Sequence, residues 1–367
     1  MRLLSSLFFV LIAISFAAPL ALAQEVPPIV VEKDVYLVGV IQNIEEQVIE
    51  GLEGQVKRAQ IKLEDGEIIE VAYGGILAYG NNSVEIGEKV IVVRNQAGEE
   101  ISYYLGDRYR LPWITILVIA LFVIAILVGR WKGITATLGL VVSALIFGFI
   151  IIPQIAQGND PILVMLLGAI AIATVTTYLA HGFKSSSTII LTSILSVLSL
   201  STLAVIFATK VLGLAGIGSE EAVSLQFGPL ASINLEHLLI AGIIIGALGI
   251  LDDVAATQIA VVEEVAKADT TLSRKELFKR SMHVGREHVI ALINTLFLAY
   301  AATALPLLLV GSVNLQLPIW ALINSEAVSE EILRIVIGSS SLILAVPIST
   351  GLAAWWFSRR KDIHTKA

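Results

Sequence analysis

Between positions 112 and 357 the chain is a series of apolar runs, each close to membrane-spanning length, broken by short polar hinges. A helix of about 20 apolar residues matches the ~30 Å hydrocarbon layer of a bilayer, so this stretch buries its side chains in lipid or against other spans. The expected spans are about 112–129, 134–152, 161–180, 188–212, 238–260, 289–311 and 332–357. Composition agrees, since 56% hydrophobic and 15% charged residues leave little polar surface to clothe a water-soluble chain of 367 residues. The expected fold is an α-helical polytopic membrane bundle of about seven transmembrane helices, preceded by a small exported β-barrel or sandwich domain.

The start of the chain reads as a processing signal. Arg2, the apolar run Leu3 to Ala18 and the small-x-small step Ala21-Leu22-Ala23 before Gln24 predict a signal peptide over 1–23. Residues 24–110 change texture, with dense Glu and Gly between short β-branched runs. Strands are expected at Val35 to Ile44, Gln55 to Leu63, Glu67 to Val71, Lys89 to Arg94 and Glu100 to Tyr104, with Asp65-Gly66 as the clearest hairpin turn. Their number and length fit a domain of OB or SH3-like size. The membrane domain then covers 111–358 and a cytoplasmic tail 359–367, with a cytoplasmic or interfacial helix near 265–288. That helix is announced by Ser273-Arg274-Lys275-Glu276, in which the serine and the glutamate can each satisfy a free backbone N–H, and its apolar Leu277, Phe278 and Met282 fit equally an interfacial helix or an ordinary extension of the sixth span packed on the bundle.

Charge sets the expected orientation. Arg130, Lys132, Lys184, Lys267, Arg274, Lys275, Lys279, Arg280, Arg286, Arg359, Arg360, Lys361 and Lys366 fall in alternate hinges and the tail, whereas Asp160, Glu220, Glu221, Glu236, Glu326, Glu330 and Glu331 fall in the others, with Arg334 as the one basic residue near them. The positive-inside rule therefore predicts an extracytoplasmic N-terminal domain, a cytoplasmic C-terminus and residence in a cell membrane. With no cysteine the chain has no disulfide, thiolate or iron–sulfur chemistry, and a net charge of −7 without a basic tract gives no footprint for nucleic acid.

The chemistry-bearing feature is Gly246-Ala-Leu-Gly249-Ile-Leu-Asp252-Asp253 in the fifth span. A carboxylate at mid-membrane costs about 2.5–3.5 kcal/mol on insertion scales, so it is expected to be paired, protonated or turned toward a polar cavity. A competing reading ends the apolar segment at Leu251 and lets both Asp residues begin a cytoplasmic helix. Asn294 and Thr295 in the sixth span could lie at similar depth, Arg286 sits about two turns earlier, and His181 and Tyr178 lie at the inner end of the third. Gly246 and Gly249 would admit a kink or a close neighbour. Thr192, Ser196 and Ser199 of the fourth span are read as hydroxyls that bond their own backbone. His283 and His288 are five apart, about 140° around a helix, which rules out an inverted zinc-peptidase pair. No nucleophile elbow, Walker loop or dinucleotide fingerprint occurs, so neither an enzyme nor a metal or other cofactor is expected.

GALGILDDVA at 246–255, Glu264, SRKELF at 273–278, Gly285-Arg286 and NTLFLAYAATALPLLL at 294–309 resemble the YibE/F family of multi-pass bacterial membrane proteins. The resemblance implies a β-domain followed by seven spans, and it carries over Asp253, Glu264, Gly285, Arg286, Asn294 and Thr295 as the residues of interest. Asp252 stands where the family's pattern is apolar, which makes Asp253 the implied functional acid. No substrate comes with the resemblance.

Two functions stay open. A transport or permease-like protein would use an intramembrane polar site of Asp253, Asp252, Asn294, Thr295, Arg286 and Glu264, with His181 and Tyr178 as accessories, to move an unknown small ligand or ion. A receptor or assembly scaffold would instead use the exported domain to bind a protein partner or a second copy of the chain, with the lipid bilayer as its other partner.

Overall fold

A computed structural model describes residues 34–47, 56–74, 84–97, 100–313 and 318–364, so the expected signal peptide lies outside the described residues. The chain divides into two compact units, Pro27–Val128 and Gly129–Ala367.

The first unit holds a single antiparallel sheet and one helix. Strands β1 (Val35–Gln47), β2 (Val56–Leu63), β3 (Ile68–Gly74), β4 (Lys89–Ala97) and β5 (Glu100–Arg108) pair in the order β3-β2-β1-β4-β5. The long β1 is shared, its first half pairing with β4 and its second with β2, and β3 and β5 approach each other to give a half-barrel. A single curled sheet replaces the sandwich alternative, because alternation along each strand supplies one apolar face only. Ile41, Ala59, Ile61, Leu63, Val71, Val90 and Val92 fill that face. Gly66 takes φ 93° in the β2–β3 turn, the left-handed geometry that an Asp-Gly pair favours. Gly39 is needed for a different reason: a Cβ there would collide with Ile61 Cγ2. Helix α1 (Leu111–Gly129) follows, apolar on every face except at Thr115, whose hydroxyl returns to the Leu111 carbonyl at 2.8 Å.

The second unit is helical. Its long helices are α2 (Trp131–Ala156, with a π turn at Phe147–Ile151), α3 (Pro161–His181), α4 (Ser185–Leu212), α6 (Leu235–Ala268), α7 (Arg274–Thr303) and α10 (Glu326–His364), with short α5 (Glu220–Leu225), α8 (Leu305–Val313) and α9 (Ile319–Ile323) between them. Six helices of the described chain are long and apolar enough to cross a membrane, or up to seven if α7 and α8, bent by 61°, form one span. The expected capping box is present: Ser273 Oγ accepts from the Glu276 N–H, and Glu276 accepts from the Ser273 N–H at 2.9 Å. The helix it starts begins at Arg274 and runs on without a break into the expected sixth span, so residues 265–288 comprise the end of α6, a short turn and the first turns of α7.

Helix α6 is the axis of this unit, packing against α3, α4, α7 and α10. A buried set along it, Ile240, Ile244, Ala247, Leu251, Val254, Gln258 and Val262, recurs every three or four residues and forms the stripe that its neighbours enclose. The 34 residues of α6 span about 51 Å, roughly 20 Å more than the thickness of a hydrocarbon layer. The two ends of the unit are separately tied. At one end Asp160, the cap of α3, meets His237 of α6 at 2.5 Å, and Glu326 and Glu330 of α10 accept the Ala215 and Gly218 N–H groups at 2.7 and 2.9 Å. At the other end the Phe183-Lys184 hinge packs beside Trp355 and Trp356 of α10.

Candidate functional site

Helix α6 runs through Asp252 and Asp253 without a break, so neither caps a helix start. Adjacent helical residues point about 100° apart, and the buried stripe decides which of the two turns inward. Asp253 is exposed, on a row with Thr257, Ala260 and Glu264. Asp252 is half-buried and faces α3, where the fully buried Thr177 donates to its Oδ1 across a long 3.4 Å.

Asp252 sits at the edge of a cleft of about 370 Å³ between α2, α3 and α6. The lining is otherwise apolar apart from Ser143 and Thr176, whose hydroxyls return to the Gly139 carbonyl at 2.9 Å and the Ile172 carbonyl at 3.0 Å. Small residues make the cleft possible: Gly139 lets α2 approach Thr176, and Gly249 opens the α6 side with nothing within 4 Å of its missing Cβ. Phe147, the first residue of the π turn in α2, lines the same cleft. The π turn also carries Ile151 onto Gly168 of α3, where a Cβ would collide with Ile151 Cδ1. Such bulges interrupt the regular hydrogen-bond ladder of an otherwise continuous helix. His181, one turn beyond Thr177, stands at the exposed end of α3 within electrostatic reach of Asp252. No ion pair to Asp252 occurs among the described residues.

The other expected site residues do not converge on Asp253. Asn294, Thr295 and Arg286 are exposed along α7, and the Thr295 hydroxyl bonds the Ala291 carbonyl at 3.2 Å. Glu264 pairs with Lys267 at 2.8 Å. Tyr178 is buried, stacked on Phe183 at 4.9 Å and hydrogen-bonded to Thr188 at 3.2 Å. Thr192, Ser196 and Ser199 bond their own backbone one turn back, as their spacing implied.

A second polar knot was not singled out in the sequence. Gln258, 3% exposed, donates to the Ser281 carbonyl of α7 at 3.1 Å and to Thr350 Oγ1 of α10 at 2.8 Å. Gly285 leaves room for it, since a Cβ there would lie 2.7 Å from Gln258 Oε1 and 2.5 Å from Val346 Cγ1. This amide joins three helices through one side chain. Its only sequence signal is a polar residue at a position of the apolar stripe, a turn and a half after Asp252. Toward the opposite end, the Tyr300 hydroxyl of α7 lies over Gly246 of α6 and Gly338 of α10, which gives Gly246 the role of a close neighbour rather than a kink.

The model of the family described as YibE/F-like protein matches residues 117–359. No curated protein and no solved structure matches the chain.

Proposed function

The chain belongs to the YibE/F-like family, and from that premise we propose that this multi-pass membrane protein is transport or permease-like, with Asp252 as the acid that exchanges a proton or holds a small cation. The observation that carries the reading is a half-buried carboxyl at the edge of a cleft between three apolar helices, with no ion-pair partner among the described residues. A charge in such surroundings is costly, and a group that binds and releases a cation alternates between bearing and relieving that cost. Thr177, Thr176 and Ser143 supply oxygens nearby, and the glycines at 139 and 249 leave the cleft room to admit a small solute.

The test is proton uptake by liposomes holding the purified full-length protein, read with an internal pH dye under an imposed pH gradient. Asp252→Asn keeps the size and the Thr177 contact while removing the charge, and it is expected to abolish uptake; Asp253→Asn is expected to keep most of it. Equal activity of wild type and Asp252→Asn, or a loss confined to Asp253→Asn, would sink the assignment.

A binding or scaffold role has its own support. Tyr36, Val93 and Tyr104 form one cross-strand row on the outer face of the half-barrel, with the two tyrosines 69% and 57% exposed. If Tyr36→Ala with Tyr104→Ala removes function while Asp252→Asn does not, the scaffold reading replaces transport.

A further inference from the structure

Where α4 begins and α10 nears its end, a cavity of about 380 Å³ opens at the surface of the helical unit. Its walls are mostly Phe183, Ile189, Leu352, Trp355 and Trp356, with Lys184 and the hydroxyls Ser185, Thr188 and Thr192 completing the lining. Arg359 stands one turn beyond Trp355, its guanidinium carbon 4.4 Å from the centre of that indole ring. The cavity therefore has a mostly apolar lining with one cation in it, and a second cation stacked on one of its wall residues. Neither Lys184 nor Arg359 forms an ion pair among the described residues.

We propose that this cavity holds one anionic phospholipid, its headgroup phosphate by Lys184 and Arg359 and an acyl chain along Ile189 and Leu352. Three observations select this occupant. Two cations, one in the lining and one stacked on a wall residue, favour an anion, and basic residues near the membrane surface attract anionic headgroups. Tryptophan is suited to the boundary between headgroup and acyl chain, with an apolar ring and one N–H donor. The body of the cavity is mostly apolar, and a free phosphate would leave that surface unused. The charge pattern of the hinges puts Lys184 and Arg359 on the cytoplasmic side, and Trp355, which lines the cavity with Lys184 and carries Arg359 on its ring, brings the two to one end of the bundle as that pattern requires. The inference does not depend on the Asp252 reading.

The test uses delipidated full-length protein and native mass spectrometry with equimolar phosphatidylglycerol and phosphatidylcholine of matched chains. Wild type is expected to retain phosphatidylglycerol in preference to phosphatidylcholine. Lys184→Gln with Arg359→Gln is expected to lower that retention by about tenfold or more. Arg274→Gln with Lys275→Gln, which removes the same charge at the start of α7, is expected to leave it unchanged. An equal loss in this second pair would mean nonspecific attraction and overturn the proposal, as would displacement of the lipid by millimolar inorganic phosphate. Brominated-chain lipids give an independent reading with both cations unaltered. Brominated phosphatidylglycerol is expected to quench wild-type tryptophan fluorescence more than brominated phosphatidylcholine, with the difference lost in Trp355→Phe with Trp356→Phe. Equal quenching by the two lipids in wild type overturns the proposal even if the charge variants fail to fold.

Discussion

Gly285→Ala tests whether the Gln258 knot is as tight as its geometry says. The new methyl carbon would stand 2.5 Å from Val346 Cγ1, 2.7 Å from Gln258 Oε1 and 3.0 Å from Gln258 Cδ. Carbon atoms settle at about 3.5–4.0 Å, so α7 and α10 must separate by roughly 1 Å or the Gln258 amide must move. Overpacking of this kind costs about 1–3 kcal/mol, and displacing the amide forfeits two hydrogen bonds of about 0.5–1.5 kcal/mol each. Against that stands a helix-propensity gain of about 0.8–1.0 kcal/mol for alanine over glycine. With both penalties incurred the balance is a loss of about 1–5 kcal/mol. Gly249→Ala is the matched control in α6, because nothing lies within 4 Å of its Cβ position, and it is expected to gain up to about 1 kcal/mol. Both are read as unfolding midpoints of the full-length protein in a mixed-detergent titration. Val346→Ala in the Gly285→Ala background is expected to recover part of the loss, with a coupling of at least about 0.5 kcal/mol. If Gly285→Ala is as stable as Gly249→Ala, the close three-helix contact is not what the residue provides.

Two further outcomes concern the ends of the bundle. Burial raises the Asp160 carboxyl, but the Leu163 N–H and His237 more than offset this and hold it below the usual carboxylate range, so its stabilisation is present above the unfolded-state pKa and lost on acidification. Asp160→Ala is expected to cost about 0.5–2 kcal/mol near neutral pH as a lost helix cap, with the gap to wild type closing as the pH falls from about 5 toward 3; a gap that persists at the acid end would show that charge is not involved. Reporter fusions after Lys184 and after Lys366 are both expected to read cytoplasmic, and an extracytoplasmic signal from either would reverse the hinge assignment.

Features that depend on neighbours along the chain were legible without coordinates. Apolar run length marked the long helices, Ser273 and Glu276 marked the start of α7, and Asp65-Gly66 with alternating apolar residues marked the β2–β3 hairpin. Each of these signals is local, because hydrogen bonding within a helix, a cap or a tight turn involves residues only a few positions apart. Which side of a helix meets another helix is a different kind of information. Asp252 and Asp253 are chemically identical and adjacent in sequence, and an almost uniformly apolar span offers little periodicity to orient them. The packing of α6 against α3 turned Asp252 toward Thr177 and left Asp253 exposed. The same holds for Gln258, whose partners lie 23 and 92 positions away, and for Lys184 and Trp355, which line one cavity only because α4 and α10 run side by side. These contacts had to wait for the packed bundle because a membrane span is apolar on its lipid face as well as its protein face, so hydropathy reports the span and is silent on the direction in which it packs.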